Sequence, residues 1–481
     1  MANVDERLIG LMDSAAAGGA YADARFVRQR SEYVATRNGE VDDLHRDANE
    51  GIGVRVRVGG AWGFAATRDT SKAGAEAALA RALAIARAQP RATATPLAPE
   101  PAARGEHRGG QGTDPFAVPL ERKLERLLEA DRACGDDPRL NLRQAHFLAY
   151  ARDTIFASTE GALYHQSVVE TGGGISVTAV EGDDVQVRSF PGSHRGDTRQ
   201  AGYEHFDQMA LVAEAPRVAE EAIALLGAEP CPSLTTTLVL DGEQLALQLH
   251  ESVGHAVELD RVLGGEASYA GTSWVPPDGI GSLQYGSPLM NVTADATNPG
   301  GLGSYRWDDE GVEGRAVPII REGVLRGFLS GRESAAEIGL ERSTGCMRAD
   351  GFARQPIVRM TNVNLEPGDA GSLDDLIAAT ESGIYMETNK SWSIDQRRLH
   401  FQFGAEIAWL IEDGRRTRML RDPIYAGVTP QFWASLDAVC SPSEWRLWGV
   451  INCGKGEPGQ STHVSHGTAP SRFRDVQVGI A

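Results

Sequence analysis

Cysteine is scarce in this chain and poorly placed for cross-linking. The 481 residues hold five (Cys134, Cys231, Cys346, Cys440 and Cys453), an odd number with no C-x-x-C pair. That excludes a disulfide framework and a structural zinc knuckle, while leaving room for one cysteine as a lone ligand. A long apolar run is also missing. The opening MANVDERLIGLMDS carries acidic residues early and nothing of signal-peptide or membrane-span length, so a cytoplasmic protein is expected. Positive charge is in deficit, with 47 Lys and Arg against 66 Asp and Glu and a net charge of −19. Such a surface repels phosphate backbones and anionic headgroups, so neither nucleic acid nor membrane is an expected partner. Solubility is explanation enough for the charge itself.

What is present reads as an α+β protein of two parts, residues 1–230 and 231–481. The first part is expected to be an α/β domain. An amphipathic helix to about Gly18 is followed by strands, among them the strictly alternating Val54-Arg55-Val56-Arg57-Val58, which reads as half-buried. Asp69-Thr70-Ser71 caps a helix over Ala75–Ala88. Residues 90–115, rich in Pro, Gly and Ala, read as a linker or surface loop. A helix over Val118–Ala130 follows, and residues 143–190 read as a strand meander with turns at Glu160-Gly161, Gly172–Gly174 and Gly182-Asp183. A helix over Met209–Leu226, kinked or restarted at Pro216, closes this part. The second part opens with a strand, Thr235–Leu240, and a helix from Glu243 to about Asp260 capped by Asp241. The remainder is expected to be mostly antiparallel β, with one helix near Leu373–Thr380.

That capped helix carries His250-Glu251-Ser252-Val253-Gly254-His255. A hydrolytic zinc site wants three protein ligands and an open position, and a carboxylate beside them can take a proton from water. In the usual H-E-x-x-H spacing the histidines share a helix face. Here they stand five apart, about 140° around a regular α-helix, too far to share an ion. A π-type bulge would restore register, with Gly254 suited to the deformation. The plainer alternative is a core histidine beside a solvated glutamate. A third ligand could be Glu258, Asp260, His463, His466 or Cys453. The Gly-rich stretches at Gly51-Ile-Gly53, Gly300–Gly303 and Gly454-Lys455 lack the spacing of nucleotide loops.

These residues resemble the TldD/PmbA family, as do Cys453-Gly-Lys with Gly459-Gln460, Pro356-Ile-Val-Arg-Met-Thr-Asn362 with Pro367-Gly-Asp, Glu381-Ser-Gly-Ile-Tyr385, Tyr21-Ala-Asp-Ala and Gly51-Ile-Gly-Val-Arg-Val. The resemblance runs in order over nearly the whole chain. It implies a zinc metallopeptidase with Zn2+ on His250, His255 and Cys453 and with Glu251 as catalytic acid/base. It implies an N-terminal α/β domain and a C-terminal β domain enclosing a tunnel-like cleft. It further implies unfolded peptide substrates held as an added strand. The partner would be a second copy of the chain, or a sister subunit lacking the zinc motif. The chain departs from the pattern in its inserted Gly456-Glu-Pro and in residues 90–115. Tyr385 or His463 is a candidate to stabilise the oxyanion. The competing readings are a non-catalytic peptide-binding or stabilising subunit and a zinc amidohydrolase with a short closed pocket.

Overall fold

The computed structural model describes residues 2–89, 95–193, 196–456 and 459–479. An eight-stranded sheet organises the first half: β1 (Tyr21–Arg37), β2 (Glu40–Val58), β3 (Ala61–Thr67), β4 (Arg104–Gly109), β5 (Leu140–Ser158), β6 (Leu163–Glu181), β7 (Asp184–Phe190) and β8 (Asp197–Arg199). The strands run β3-β2-β1-β5-β6, and β4, β8 and β7 share the remaining edge of β6 one after another. Only β4 is parallel to its neighbour.

Two pairs of helices cover this sheet. Ala2–Ala17 and Lys72–Ala88 bury Leu8, Leu11, Ala78, Leu79 and Ala82 against Val54 and Val56. The second helix starts where Ser71 accepts from the Gly74 amide at 3.1 Å, an N-cap as the sequence suggests. Leu120–Ala133 and Leu211–Leu226 bury Leu127, Ala130, Val218 and Ala222 against Phe147 and Val177. The latter helix runs unbroken across Pro216.

Three sequence expectations change here. Gly172, Gly173 and Gly174 are not a turn but the middle of β6. A Cβ on each would stand within 2.7 Å of a backbone atom in another segment (Asp197 O, His146 O and Gly196 Cα), so the glycines let neighbouring backbone close in. The alternation of residues 54–58 does mark a strand, yet Arg55 is as buried as its valines, because Asp23 (2.7 Å) and Glu310 (3.0 Å) neutralise it. Residues 90–94 lie outside the described residues. The rest of the expected linker is structured: Ala98 exchanges hydrogen bonds with Arg332 in the second half, and 104–109 is β4.

The second half is built on a barrel. Ser382–Ile394, Leu234–Leu240, Ser471–Val478, Ile424–Val428 and His400–Glu412 pair in that order, and the last closes on the first. Only the Leu234–Leu240 pairing with Ser382–Ile394 is parallel. One large apolar core fills this half, from Leu238 through Tyr285 and Trp433 to Phe473. A hairpin, Arg446–Lys455 with Gln460–Thr468, stands beside the barrel. The whole is a mixed α/β fold with extensive sheet and a barrel. Among the described residues, no helix is long and apolar enough to cross a membrane.

Candidate metal centre

The site grows from the first barrel strand. At its end, Asp241 accepts from the amides of Gln244 (2.9 Å) and Glu243 (3.3 Å), starting an α-helix over Gly242–Leu249. At His250 the chain widens into a π-turn, His250–Gly254, whose last bond runs from the His255 amide to the His250 carbonyl. That five-residue bond brings the two imidazoles to one side, with ring centroids 4.8 Å apart and planes at 89°. The buried surroundings hold the wide turn: Tyr285 donates to the Ser252 carbonyl (2.6 Å), and Trp433 donates to its hydroxyl (2.9 Å). The helix then ends earlier than expected. A short 3-10 turn over His255–Val257 breaks at Glu258, where the backbone becomes extended.

Gly254 does not act as the sequence suggests. Its backbone is ordinary right-handed helix (φ −49, ψ −60), which any residue adopts. A Cβ there would lie 2.2 Å from Met360 Sδ, so the glycine makes room for Met360.

Cys453 arrives from the hairpin beside the barrel. The pairing slips between Val450 and Cys453, a bulge that re-aims the side chain. Its Sγ lies 3.7 Å from His255 Nε2. One donor atom each from His250, His255 and Cys453 falls within 4.8 Å of the others, and all three residues are buried.

Hydrogen bonds decide where the lone pairs point. His466 Nδ1 faces the Val363 carbonyl at 2.8 Å; a carbonyl only accepts, so that nitrogen carries the proton. His466 Nε2 is then a bare acceptor and accepts a hydrogen bond from the His250 Nδ1–H at 2.7 Å. His250 is left with a lone pair on Nε2. His255 Nδ1 donates to Glu258 at 2.9 Å, which frees its Nε2 in the same way. Glu258 is itself held by buried Lys455 at 3.4 Å, and Lys455 also binds Asp260 at 2.7 Å. Four of the five candidates for the third ligand thus take other places. Glu258 and His466 hold the two imidazoles, Asp260 anchors Lys455, and His463 pairs with Glu170 (2.5 Å) at a separate, smaller cavity.

The electrostatics agree. Burial drives both imidazoles below their ordinary pKa, and His255 well below it despite the neighbouring thiol, which pulls the other way. Burial pushes the Cys453 thiol up, but the Arg359 guanidinium (Nη2 3.1 Å from Sγ) leads the influences that oppose it, and the thiol ends below its usual value. Two neutral imidazoles and a thiol biased toward thiolate are the protonation states metal binding needs.

Glu251 projects from the π-turn into a cavity of about 460 Å³, where its carboxylate is ion-paired with Arg398. The cavity is lined by Asn389 and Trp392–Ile394 of a barrel strand and by Trp448–Gly454 of the hairpin, among others. Tyr385 is buried elsewhere and directs its hydroxyl to Glu387. Neither it nor His463 lines this cavity. Arg359 lies inside a motif that signals the family, but nothing in its spacing places it on the thiol. Arg398 stands in no pattern at all.

Three family descriptions match the chain in order: PmbA/TldA metallopeptidase domain 1 over residues 22–86, the central domain over 113–227 and the C-terminal domain over 233–479. A metalloprotease of Methanocaldococcus jannaschii is 30% identical over 93% of this chain and 95% of its own length. A zinc metalloprotease TldD homolog of Saccharolobus solfataricus is 26% identical over 50% of this chain and 51% of its own. Crystalline TldE of Thermococcus kodakarensis shares the fold with a TM-score of 0.76 at 16% identity, across 98% of this chain and all of that one. With its three successive domains matched over most of its length, the chain belongs to the PmbA/TldD family of metallopeptidases.

Proposed function

We propose that the protein is a zinc-dependent peptidase that cleaves unfolded peptides bound in extended form, with His250, His255 and Cys453 as ligands and Glu251 as general base. The observation that carries this reading is the convergence of two imidazole lone pairs and one thiol on a common point, each imidazole held from behind by its own hydrogen bond. An N/N/S set with a side open to a cavity suits zinc with one position left for chemistry. Zinc there would supply Lewis acidity toward the scissile carbonyl and lower the pKa of the attacking water. The chain supplies the rest. Glu251 takes the water's proton on a carboxylate oxygen and later returns it to the leaving amine nitrogen. The strand segments that line the cavity favour an extended peptide, since strand edges can pair with backbone whatever its side chains.

The test combines native mass spectrometry with cleavage of an unstructured peptide. One zinc per chain and measurable cleavage are expected, with both lost in Cys453→Ala. The same spectrum reports whether the working assembly is a homodimer or needs a sister chain, as we also propose. Protein that takes up no zinc and cleaves nothing would instead be a peptide-binding or stabilising subunit.

A further inference from the structure

We propose that Arg398 is a catalytic residue that donates hydrogen bonds to the oxyanion formed at the scissile carbonyl; this rests on the peptidase reading above. Arg398 is the only lysine or arginine among the described residues lining the cavity. It sits on the turn that joins Ser382–Ile394 to His400–Glu412, and that turn is pinned on several sides. The Arg398 amide donates to the Asp395 carbonyl (3.0 Å), and the Asp395 carboxylate accepts from the Leu399 amide (2.9 Å). The Arg398 carbonyl accepts from Thr429 Oγ1 (2.8 Å), and the Arg397 carbonyl accepts from the Trp274 amide (3.0 Å). These bonds hold Arg398 at φ 64, in the left-handed region where a side chain is uncommon. An arginine kept in such a place, with its guanidinium sent into the cavity, invites a functional explanation.

The guanidinium's bonds supply one. Nη1 is engaged by Glu251, while Nε is buried and has no partner among the described residues. A planar fork of five N–H donors can hold two acceptors at once, which an ammonium on a flexible stem does poorly. During the reaction the water oxygen bonds to the carbonyl carbon. The C=O π pair moves onto the carbonyl oxygen, and the released proton goes to Glu251. Negative charge therefore leaves the carboxylate that Arg398 already holds and appears on a neighbouring oxygen. Arg398 shifts its hydrogen bonds from one to the other and gives up no proton. When the pair returns to reform C=O, the C–N bond breaks and nitrogen takes the proton back from Glu251. An interaction that strengthens only as the oxyanion forms is one that accelerates the chemical step.

The experiment uses the zinc-loaded full chain with Arg398→Ala and Arg398→Lys. Both variants are expected to keep their zinc in native mass spectra. Their kcat should fall about 10²- to 10³-fold with KM little changed. A peptide phosphonate, which mimics the tetrahedral oxyanion, should lose affinity by a similar factor, whereas the same peptide with a CH2–NH bond at the cleavage position should not. Methylguanidinium should partly restore Arg398→Ala. Unchanged phosphonate affinity in an inactive variant would overturn the proposal, because Arg398 would then act only by holding Glu251. Unchanged kcat would also overturn it. Should Arg398→Ala lose zinc or fail to fold, Arg398→Lys carries the comparison. If the wild-type protein binds no zinc and cleaves no peptide, the peptidase reading fails and this proposal falls with it; an active wild type with unimpaired variants removes this proposal alone.

Discussion

Two regions of buried ionisable side chains, the seam between the halves and the cavity, differ in where their charges and lone pairs are spent. At the seam between the halves, guanidinium meets carboxylate: Arg55 with Asp23 and Glu310, Arg25 and Arg152 with Asp309, and Arg188 with Glu221, Glu387 and Glu406 at 2.8–3.2 Å. Burial raises the Asp309 carboxyl, but Arg152 and Arg25 outweigh it and leave it below its ordinary value. These groups neutralise one another, several of them across the contact between the halves. In the cleft, each imidazole has one nitrogen tied behind it and the other aimed at a shared point with Cys453. Burial of charge thus marks both regions, and only the direction of the uncommitted donor atoms separates a joint from a site.

The comparison breaks if the cleft proves to be structural. Glu251→Gln should lower kcat by about 10²- to 10⁴-fold while zinc content in native spectra stays at the wild-type level, since only proton transfer is removed. A variant that cleaves as well as wild type would return Glu251 to the class of the seam carboxylates. From the other side, Arg188→Ala strands three carboxylates around a fully buried position and should destabilise folding by about 3–5 kcal/mol in denaturant titrations. A loss near zero would mean that the seam is solvated and the contrast misplaced.

Smaller effects sharpen the picture. His466→Ala removes the acceptor that fixes the His250 tautomer and should weaken zinc binding about 10- to 100-fold in a chelator competition. Wild-type affinity in that variant would show that the tautomer needs no help. Smallest of all, Gly254→Ala forces Met360 aside and should cost about 1 kcal/mol in thermal melts, a loss that Met360→Ala on the same background should reduce. If the double variant is no better than the single one, close packing on Met360 is not what the glycine serves.

Much of the local structure was legible in the residues. The Asp69-Thr70-Ser71 cap marked one helix, Asp241 marked the start of another, and a five-residue histidine spacing required the π-turn that is present. Errors arose where tertiary neighbours set the rule. The glycines of 172–174 read as a turn because a sequence does not show the backbone that crosses them. The arginine of an alternating strand read as solvent-facing because its carboxylate partner, Glu310, lies 255 residues away. Four histidine or acid candidates competed with Cys453 for the third ligand position because proximity along the chain says little about which atom faces inward.

Sequence by itself determined the helix, its cap and the need to widen it at His250, since these depend on neighbours within one or two turns. It also determined the family, through motifs spread along the chain. Only the tertiary structure decided that a bulged hairpin delivers Cys453, that Val363 and Glu258 set the imidazole tautomers from behind, and that Arg398 enters the cavity. All of these but the Glu258 contact join groups 103 to 216 residues apart, and direction in space is fixed only when the barrel closes.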